Sequence, residues 1–215
     1  MRRHDLAYLT PRGWDKLLAA RGDLVAKAAI RRWADCGWPS VVRRSLPGEA
    51  PGVALGLPLP PHAGKHRLAL LVHSDDIATV APPPRLDAVA YLAPFAWRPS
   101  LARIGAAAVQ HDVGLRVYGS LAFQHLTGLA YLTDQSDLDL LVEVRRGTDL
   151  QALAASFAAA EAAAPMRIDG ELIGNSGAAV KWREMLGSSG SVLVRTNTSL
   201  SLAGVDRLFS PEAAA

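Results

Sequence analysis

Several features are scarce in this sequence, and each scarcity excludes a class of protein. Cys36 is the single cysteine among 215 residues, so an internal disulfide is excluded and a cytoplasmic protein is expected. The formal net charge is only +3, which is too small to indicate a surface that coats nucleic acid. We therefore expect no nucleic-acid partner, although a local basic patch could still bind phosphates.

Long apolar runs are also missing. No stretch approaches the ~20 apolar residues that a membrane-spanning helix needs, and Glu161 interrupts the alanine-rich segment 150–164. The first residues lead into no sustained apolar run, so neither a signal peptide nor a membrane partner is expected. The remaining composition, with 50% hydrophobic and 20% charged residues, is that of a globular protein.

A proline cluster at 82–84 is the best candidate for a domain boundary, because three prolines cannot continue a helix or a central strand. We predict an N-terminal accessory domain over residues 1–82 and a catalytic domain over residues 83–215. The first mixes helices and strands, whereas strands and helices alternate more clearly in the second. The pattern therefore predicts an α/β (α+β) fold class.

The helices and strands follow from hydrophobic spacing and from glycine and proline stop signals. The predicted helices cover 14–20, 24–36, 100–111, 120–126 and the alanine-rich segment. The predicted strands cover 40–44, 53–57, 68–72, 115–118, 136–142, 166–173, 178–182 and 191–195.

The most informative residues form two segments separated by a helix-length gap. The segment 117–120, Val-Tyr-Gly-Ser, is typical of a strand that runs into a glycine turn. Asp137 and Asp139 stand two positions apart in an apolar strand, so their side chains project to the same side. Two carboxylates held that close need a cation between them, and Mg²⁺ is the natural occupant. The combination predicts a nucleotidyltransferase-like mixed sheet with packed helices.

Each of these elements also has a simpler interpretation. Gly119 lets a ligand approach the backbone, and Ser120 at a helix N-terminus favours an anion. The alternative is a plain strand-to-helix turn with a serine cap. For Asp137 and Asp139 the alternative is a solvated strand face. The apolar residues between and after them weaken that alternative, because such a run is typical of an interior strand.

A third carboxylate often completes such a site, and Asp169 is the best candidate because it stands near a strand end. The alternative is a hairpin, since Asp169-Gly170 is a common turn dipeptide. Glu171 lies two residues further on. It could take the place of Asp169 as a ligand, or it could lie in the layer of residues that surrounds the ligands.

Basic and polar side chains are needed to neutralise a polyphosphate substrate. Lys181 and Arg183 would share a face of one strand, and Gln124 lies on the helix that follows Ser120. Cations near strand ends of the first domain are further candidates: Arg43, Arg44, Lys65 and Arg67. Each of these side chains could instead be an ordinary solvated surface group.

Together, these residues resemble a specific family. The block 117–129 with Tyr131 and the segment 136–141 is similar to the signature of phosphoribosyl-dephospho-coenzyme A transferase, also called malonate decarboxylase holo-acyl-carrier-protein synthase. The likeness continues at 41–44, 55–61, 65–70, 167–171, 179–184 and 192–196. Phe123 stands where tryptophan is common in the family, and Arg195 where lysine is expected.

The resemblance implies a donor, 2′-(5″-triphosphoribosyl)-3′-dephospho-coenzyme A, and an acceptor serine on the acyl carrier subunit of malonate decarboxylase. It also implies that Mg²⁺ is held by Asp137 and Asp139 while attack at the α-phosphorus releases pyrophosphate. Two other hypotheses remain open from the sequence. One is a generic nucleotidyltransferase with a small acceptor such as an aminoglycoside, and the other is a catalytically idle module that binds a partner protein.

Overall fold

The computed structural model describes residues 1–25, 27–64, 67–187 and 190–210, with the side chain of Val25 outside this description. The chain forms two compact units. The first contains Met1–Pro83 and Leu126–Ala130, and the second contains Pro84–His125 and Tyr131–Ala215. Among the described residues, none of the helices combines the length and apolar character that crossing a bilayer requires.

The first unit is an antiparallel five-stranded sheet with the strand order β4-β3-β2-β1-β5. Its strands are β1 (Leu6–Leu9), β2 (Ser40–Val42), β3 (Val53–Pro58), β4 (Arg67–Val72) and β5 (Ile77–Ala81). Its helices are α1 (Pro11–Ala20), α2 (Gly22–Val25) and α3 (Ala28–Asp35). Thr10 caps α1 by accepting a hydrogen bond from the Gly13 amide at 2.9 Å, and Pro11 occupies the first helical turn, as the physics of helix starts favours.

The second unit is a mixed six-stranded sheet with the strand order β11-β10-β9-β8-β7-β6. Its strands are β6 (Gly114–Val117), β7 (Leu138–Glu143), β8 (Ile168–Ile173), β9 (Ala179–Lys181), β10 (Ser191–Arg195) and β11 (Leu200–Gly204). Its helices are α4 (Leu86–Val89), α5 (Arg98–Gln110), α6 (Gly119–Thr127) and α7 (Leu150–Ala162). Among the strands of the described residues, only β7 and β8 pair in parallel, with α7 as the crossover between them. The predicted α/β (α+β) fold class is confirmed.

The two faces of this sheet differ in character because side chains alternate along each strand. Leu138, Leu140 and Val142 of β7 are fully buried and belong to an apolar core that also includes residues of α5 and α7. Asp139 lies between them in sequence and therefore points to the opposite face. That opposite face carries the charged residues of the candidate site.

Three short strands are not predicted by the sequence patterns, namely β1, β5 and β11. Two of them, β5 and β11, are edge strands, and most of their residues are exposed or half-buried. An edge strand needs little apolar alternation, so its sequence carries a weak strand signal. The third, β1, has only four residues, which is too short for a clear period.

Candidate active site

Gly119 and Asp139 are in direct contact at the end of β6. The Tyr118 amide donates a hydrogen bond to the Asp139 carbonyl oxygen at 3.1 Å, which joins the turn to β7. A Cβ placed on Gly119 would lie 1.8 Å from Oδ2 of Asp139, and the backbone φ of Gly119 is +67°. Glycine is therefore required for two reasons, the left-handed backbone and the close approach of a carboxylate. The sequence suggested a ligand beside this backbone, and the Asp139 carboxylate lies there.

Ser120 lies in the first turn of α6, which begins at Gly119. The helix therefore starts within one residue of the predicted position, but Ser120 lies inside its first turn and not at the predicted capping position. The first amides of a helix have no partner within it and carry the positive end of its dipole. Ser120 is half-buried, so this end of α6 is a suitable place for phosphate oxygens.

Asp169 is the neighbour of Asp139 in the sheet. The two residues are paired in the parallel register of β7 and β8, so their backbones are one strand spacing apart, about 4.8 Å, with side chains on the same face. The hairpin interpretation of Asp169-Gly170 is wrong, because both residues lie inside the continuous strand β8. Glycine is favoured at position 170 by packing instead, since a Cβ there would lie 2.8 Å from Cδ1 of Trp182.

Lys181 forms an ion pair with Asp169, with Nζ 2.5 Å from Oδ1. Lys181 is also the register partner of Glu171 in the antiparallel pair of β8 and β9, so the side chains of all three residues share one face. Glu171 is 3% exposed and lies deeper in the sheet than Asp169. The structure thus places Asp139, Asp169 and Lys181 in a row across three neighbouring strands.

The strand predicted over 178–182 ends at Lys181, so the expectation that Lys181 and Arg183 share a strand face is wrong. Arg183 lies in a 3₁₀ turn that starts at Trp182. The end of the strand was not predicted because no proline or glycine marks this point in the sequence. The Arg183 guanidinium stacks over the Trp182 ring at 4.3 Å from the centroid and donates two hydrogen bonds to Glu161. It also donates to the carbonyl oxygen of Ile168 at 3.0 Å.

Glu161 and Arg183 together hold the start of β8. Glu161 accepts a hydrogen bond from the Ile168 amide at 2.7 Å, so the pair binds both backbone groups of the residue before Asp169. The hydrogen bond with Glu161 raises the pKa of Arg183, with smaller contributions from the charges of Asp169 and Asp137. Arg183 likewise lowers the pKa of Glu161. Sequence patterns did not single out Glu161, whose place in an alanine-rich helix carries no signal of this contact.

Asp137 immediately precedes β7, which begins at Leu138. The prediction that both aspartates lie within the strand therefore holds for Asp139 only, and Asp137 stands at the strand's end. Asp137 is half-buried and close enough to Arg183 to affect its pKa. The turn before it is closed by Ser136, whose Oγ accepts a hydrogen bond from the Thr133 amide at 2.9 Å.

Gln124 organises the loop that leads to this turn. Its side-chain oxygen accepts hydrogen bonds from the amides of Tyr131 and Leu132, each at 3.1 Å. The Tyr131 ring packs against Phe123 with 5.8 Å between centroids, and burial raises the pKa of the Tyr131 phenol. In this structure Gln124 therefore has a scaffold role, and its predicted contact with substrate stays a prediction.

The acidic residues of the site determine which metal ion it could hold. Across residues 1–25, 27–64, 67–187 and 190–210, no three side chains of His, Cys, Asp or Glu are grouped so as to hold a metal by themselves. Mg²⁺ commonly binds through one or two carboxylates and takes its remaining ligands from water and substrate phosphates. Asp137 and Asp139, both half-buried at one end of β7, fit that donor set.

The other predicted phosphate contacts belong to the first unit. Arg43 forms a bidentate pair with Glu49, with its shortest N···O distance at 2.5 Å, and donates to the carbonyl oxygen of Leu55. Arg44 is half-buried after β2, and Arg67 is exposed at the first position of β4. Lys65 lies outside the described residues.

Two family models match the chain. The Phosphoribosyl-dephospho-CoA transferase MdcG N-terminal domain matches residues 2–83, and the MdcG C-terminal domain matches residues 81–205. No solved structure matches this chain.

Curated relatives carry the same name. A protein of Bradyrhizobium diazoefficiens named phosphoribosyl-dephospho-CoA transferase is 53% identical over 194 residues, which covers 90% of this chain and 86% of the relative. Proteins with that name from Xanthomonas euvesicatoria and Xanthomonas axonopodis are 42% and 40% identical over 191 residues, covering 88% of this chain and 90% of each relative. With both domain models in chain order and identity of this extent, the chain belongs to the phosphoribosyl-dephospho-CoA transferase MdcG family.

Proposed function

We propose that this chain transfers the phosphoribosyl-dephospho-CoA group from 2′-(5″-triphosphoribosyl)-3′-dephospho-CoA to a serine of the malonate decarboxylase acyl carrier subunit. Its relatives are named phosphoribosyl-dephospho-CoA transferase, a name that specifies neither the donor's triphosphate nor the carrier serine, so both are part of the proposal. One observation carries it. The backbone of Gly119 lies in close contact with the carboxylate of Asp139. Asp169 is the register partner of Asp139 on the neighbouring strand, and its side chain lies on the same face of the sheet.

The reaction balances without any oxidant or reductant. The serine Oγ forms a bond to the α-phosphorus, and the bond from that phosphorus to the pyrophosphate oxygen breaks. The hydroxyl proton is released, pyrophosphate leaves, and the carrier keeps the group through a phosphodiester. This makes the chain a nucleotidyltransferase in the broad sense, acting in the cytoplasm.

Asp137 and Asp139 are the residues proposed to hold Mg²⁺. When bound, the ion would polarise the α-phosphate and help to activate the serine oxygen. Without a cation, the two carboxylates would repel both each other and the donor's phosphates. Asp169 is proposed as the third catalytic carboxylate, positioned by the backbone contacts that Glu161 and Arg183 make to Ile168.

The remaining residues neutralise and orient the triphosphate. The amides at the start of α6, beside Gly119 and Ser120, are proposed to bind phosphate oxygens. Lys181 adds an ammonium group to the same face, next to the carboxylates. Positioned charges of this kind supply most of the catalysis in phosphoryl transfer, because they meet the charge that develops in the transition state.

The test is a mass measurement of the apo carrier after incubation with the enzyme, Mg²⁺ and equimolar triphosphoribosyl-dephospho-CoA and ATP. The expected product is a carrier that has gained the phosphoribosyl-dephospho-CoA group, with no gain when its acceptor serine is replaced by alanine. Chelation should stop the reaction, and added Mg²⁺ should restore it. A gain equal to an adenylyl group, or an unmodified carrier, would instead favour the generic nucleotidyltransferase.

A further inference from the structure

A groove of about 810 Å³ runs along one side of α5 in the second unit, and none of the proposed catalytic residues lines it. We call it the α5 groove. Its floor is a helix face whose residues recur at three- and four-residue spacing: Arg98, Ala102, Gly105 and Val109. A Cβ on Gly105 would meet no atom within 4 Å, so the fold does not require glycine there. The small side chains leave a low surface that another helix could approach closely.

Large exposed apolar side chains lie in and beside this groove: Tyr91 and Val109 line it, and the Phe95 ring contacts the lining residue Arg98. Tyr91 is 66% exposed, Phe95 is 79% exposed and Val109 is 83% exposed. Exposed aromatic side chains that cluster at one place are typical of protein interfaces, where they act as anchors. Because these three side chains are largely exposed to solvent, the α5 groove suits a protein segment better than a small molecule.

The unpaired charge at the groove is positive. Two carboxylates line it, but Asp87 is paired with Arg85 at 3.3 Å and Asp112 with Arg145 at 2.5 Å. Arg98 is exposed, and within the described part of the chain it has no carboxylate partner; its guanidinium lies over the Phe95 ring at 5.1 Å. Arg98 is also the first residue of α5, where the helix dipole disfavours a cation. Its position is thus unfavourable for stability and suited to an acidic partner.

The wall of the groove is joined to both elements that flank Gly119. The Pro84 carbonyl oxygen accepts a hydrogen bond from the Val117 amide at 2.8 Å, which attaches this wall to the end of β6. Tyr91 Oη lies 3.5 Å from Nδ1 of His125 on α6. A protein seated in the α5 groove would therefore contact a wall that is hydrogen-bonded to the strand and the helix on either side of Gly119.

We propose that the α5 groove docks the acyl carrier acceptor through an amphipathic helix with acidic residues on its rim. This proposal rests on the proposed function, because it places the acceptor of that reaction. The 13 residues of α5 extend about 20 Å, the length of three to four helical turns. The partner's apolar stripe would pack on Tyr91, Phe95 and Val109, and its carboxylates would meet Arg98, a mode of recognition that helices use in grooves.

Two variants of the full chain test the docking surface. Arg98→Glu reverses the unpaired charge, and glutamate at this helix position is favoured by the dipole, so the fold is retained. Val109→Ser removes an exposed apolar contact. Each should raise the KM for the carrier at least tenfold and weaken apo-carrier binding in a titration to the same extent. The kcat and the KM for the donor should stay within twofold. Arg98→Glu should also reduce the salt dependence of carrier binding.

Matched controls lie elsewhere on the chain. Arg12 is likewise an exposed arginine in the first turn of a helix, α1, and Arg12→Glu should leave the carrier KM unchanged. Leu202 is 75% exposed on the edge strand β11, and Leu202→Ser should also leave the carrier KM unchanged. Effects of these controls equal to those of the groove variants would overturn the proposal, because the carrier would then respond to charge or surface polarity in general.

The remaining outcomes separate this proposal from the proposed function. If the wild-type enzyme modifies the carrier and both groove variants bind it normally, the docking site is elsewhere while the function stands. If the wild-type enzyme leaves the carrier unmodified in the same assay, the function fails and the docking proposal fails with it. A rise in donor KM alone would place the donor in the groove. A change only in the enzyme's own oligomeric state, measured by sedimentation, would place a second copy there.

Discussion

The two faces of the six-stranded sheet are built from the same strands but carry opposite chemistry. On one face, Leu138, Leu140 and Val142 are fully buried in the core shared with α5 and α7. On the other face, Asp139 adjoins Asp169, and Lys181 binds Asp169. The same alternation that buries β7 therefore also presents its carboxylate.

This difference has a consequence for mutation. A change on the apolar face removes buried contacts and should be measured as a loss of stability. On the charged side, removal of Asp137 or Asp139 takes away one of two like charges that repel each other when no cation is bound, so it should be measured as a loss of activity at little cost in stability. Each face can thus be altered with the other as its control.

Removal of Asp139 should have the largest effect. Asp139→Ala and Asp137→Ala should each lower the rate of carrier modification at least 1,000-fold, about 4 kcal/mol of barrier, because either change removes a proposed Mg²⁺ ligand. The midpoint of thermal unfolding should stay the same or rise, since a charge repulsion is removed. Transfer at more than about a tenth of the wild-type rate, a loss under ~1.4 kcal/mol, would contradict the metal role.

On the apolar face, Leu140→Ala should lower the free energy of unfolding by about 3 kcal/mol, through lost burial and the cavity left behind. The fraction that remains folded should keep a kcat within a few fold of wild type. Chemical denaturation measures the free energy of unfolding, and initial rates on the same sample measure kcat. Leu202→Ala is the control, since Leu202 is 75% exposed and its loss should cost under about 0.5 kcal/mol. A normal stability with lost activity in Leu140→Ala would mean that the faces do not divide these roles.

The contact between turn and strand can be tested at Gly119. Gly119→Ala should lower the transfer rate roughly 100-fold, about 2.7 kcal/mol of barrier, because the new Cβ would displace the Asp139 carboxylate that now lies 1.8 Å from its position. Gly128→Ala is a matched control, since Gly128 has a φ of +70° and no atom within 4 Å of its Cβ position.

Both glycine variants carry the backbone strain of a left-handed residue, about 1 kcal/mol. They should therefore lose similar stability in thermal unfolding, and only Gly119→Ala should lose most of its activity. Equal losses of activity would attribute the effect to backbone strain alone.

The smallest effect is expected at the third carboxylate, Asp169. Asp169→Asn should reduce kcat about tenfold, ~1.4 kcal/mol of barrier, because Asp169 adjoins Asp139 and holds Lys181. Glu171→Gln should reduce it less, since Glu171 is buried deeper in the sheet, at 3% exposure. Steady-state kinetics of the two variants provide the comparison. Equal, small losses would show that Asp169 only shapes the backbone.

Much of the site is predictable because its signals are local. A glycine between a strand and a serine-capped helix, followed by an apolar strand with two aspartates, predicts β6, α6 and β7 nearly in place. Asp169 is harder, because Asp-Gly is equally suited to a turn and to a strand whose glycine makes room for a neighbour. That neighbour is Trp182, which lies in a different element of the fold.

The sequence by itself determined the family, the charged face of the sheet and the two aspartates at its edge, since these depend on residue type and spacing over short segments. Only the tertiary structure decided which charges pair. Lys181 binds Asp169 from 12 residues away, and Arg183 binds Glu161 across 22 residues, while local spacing had placed both cations on one strand face. The physical reason is that an ion pair forms where the folded backbone brings two side chains together. The periodicity of one segment does not predict which side chain of another segment will be its partner.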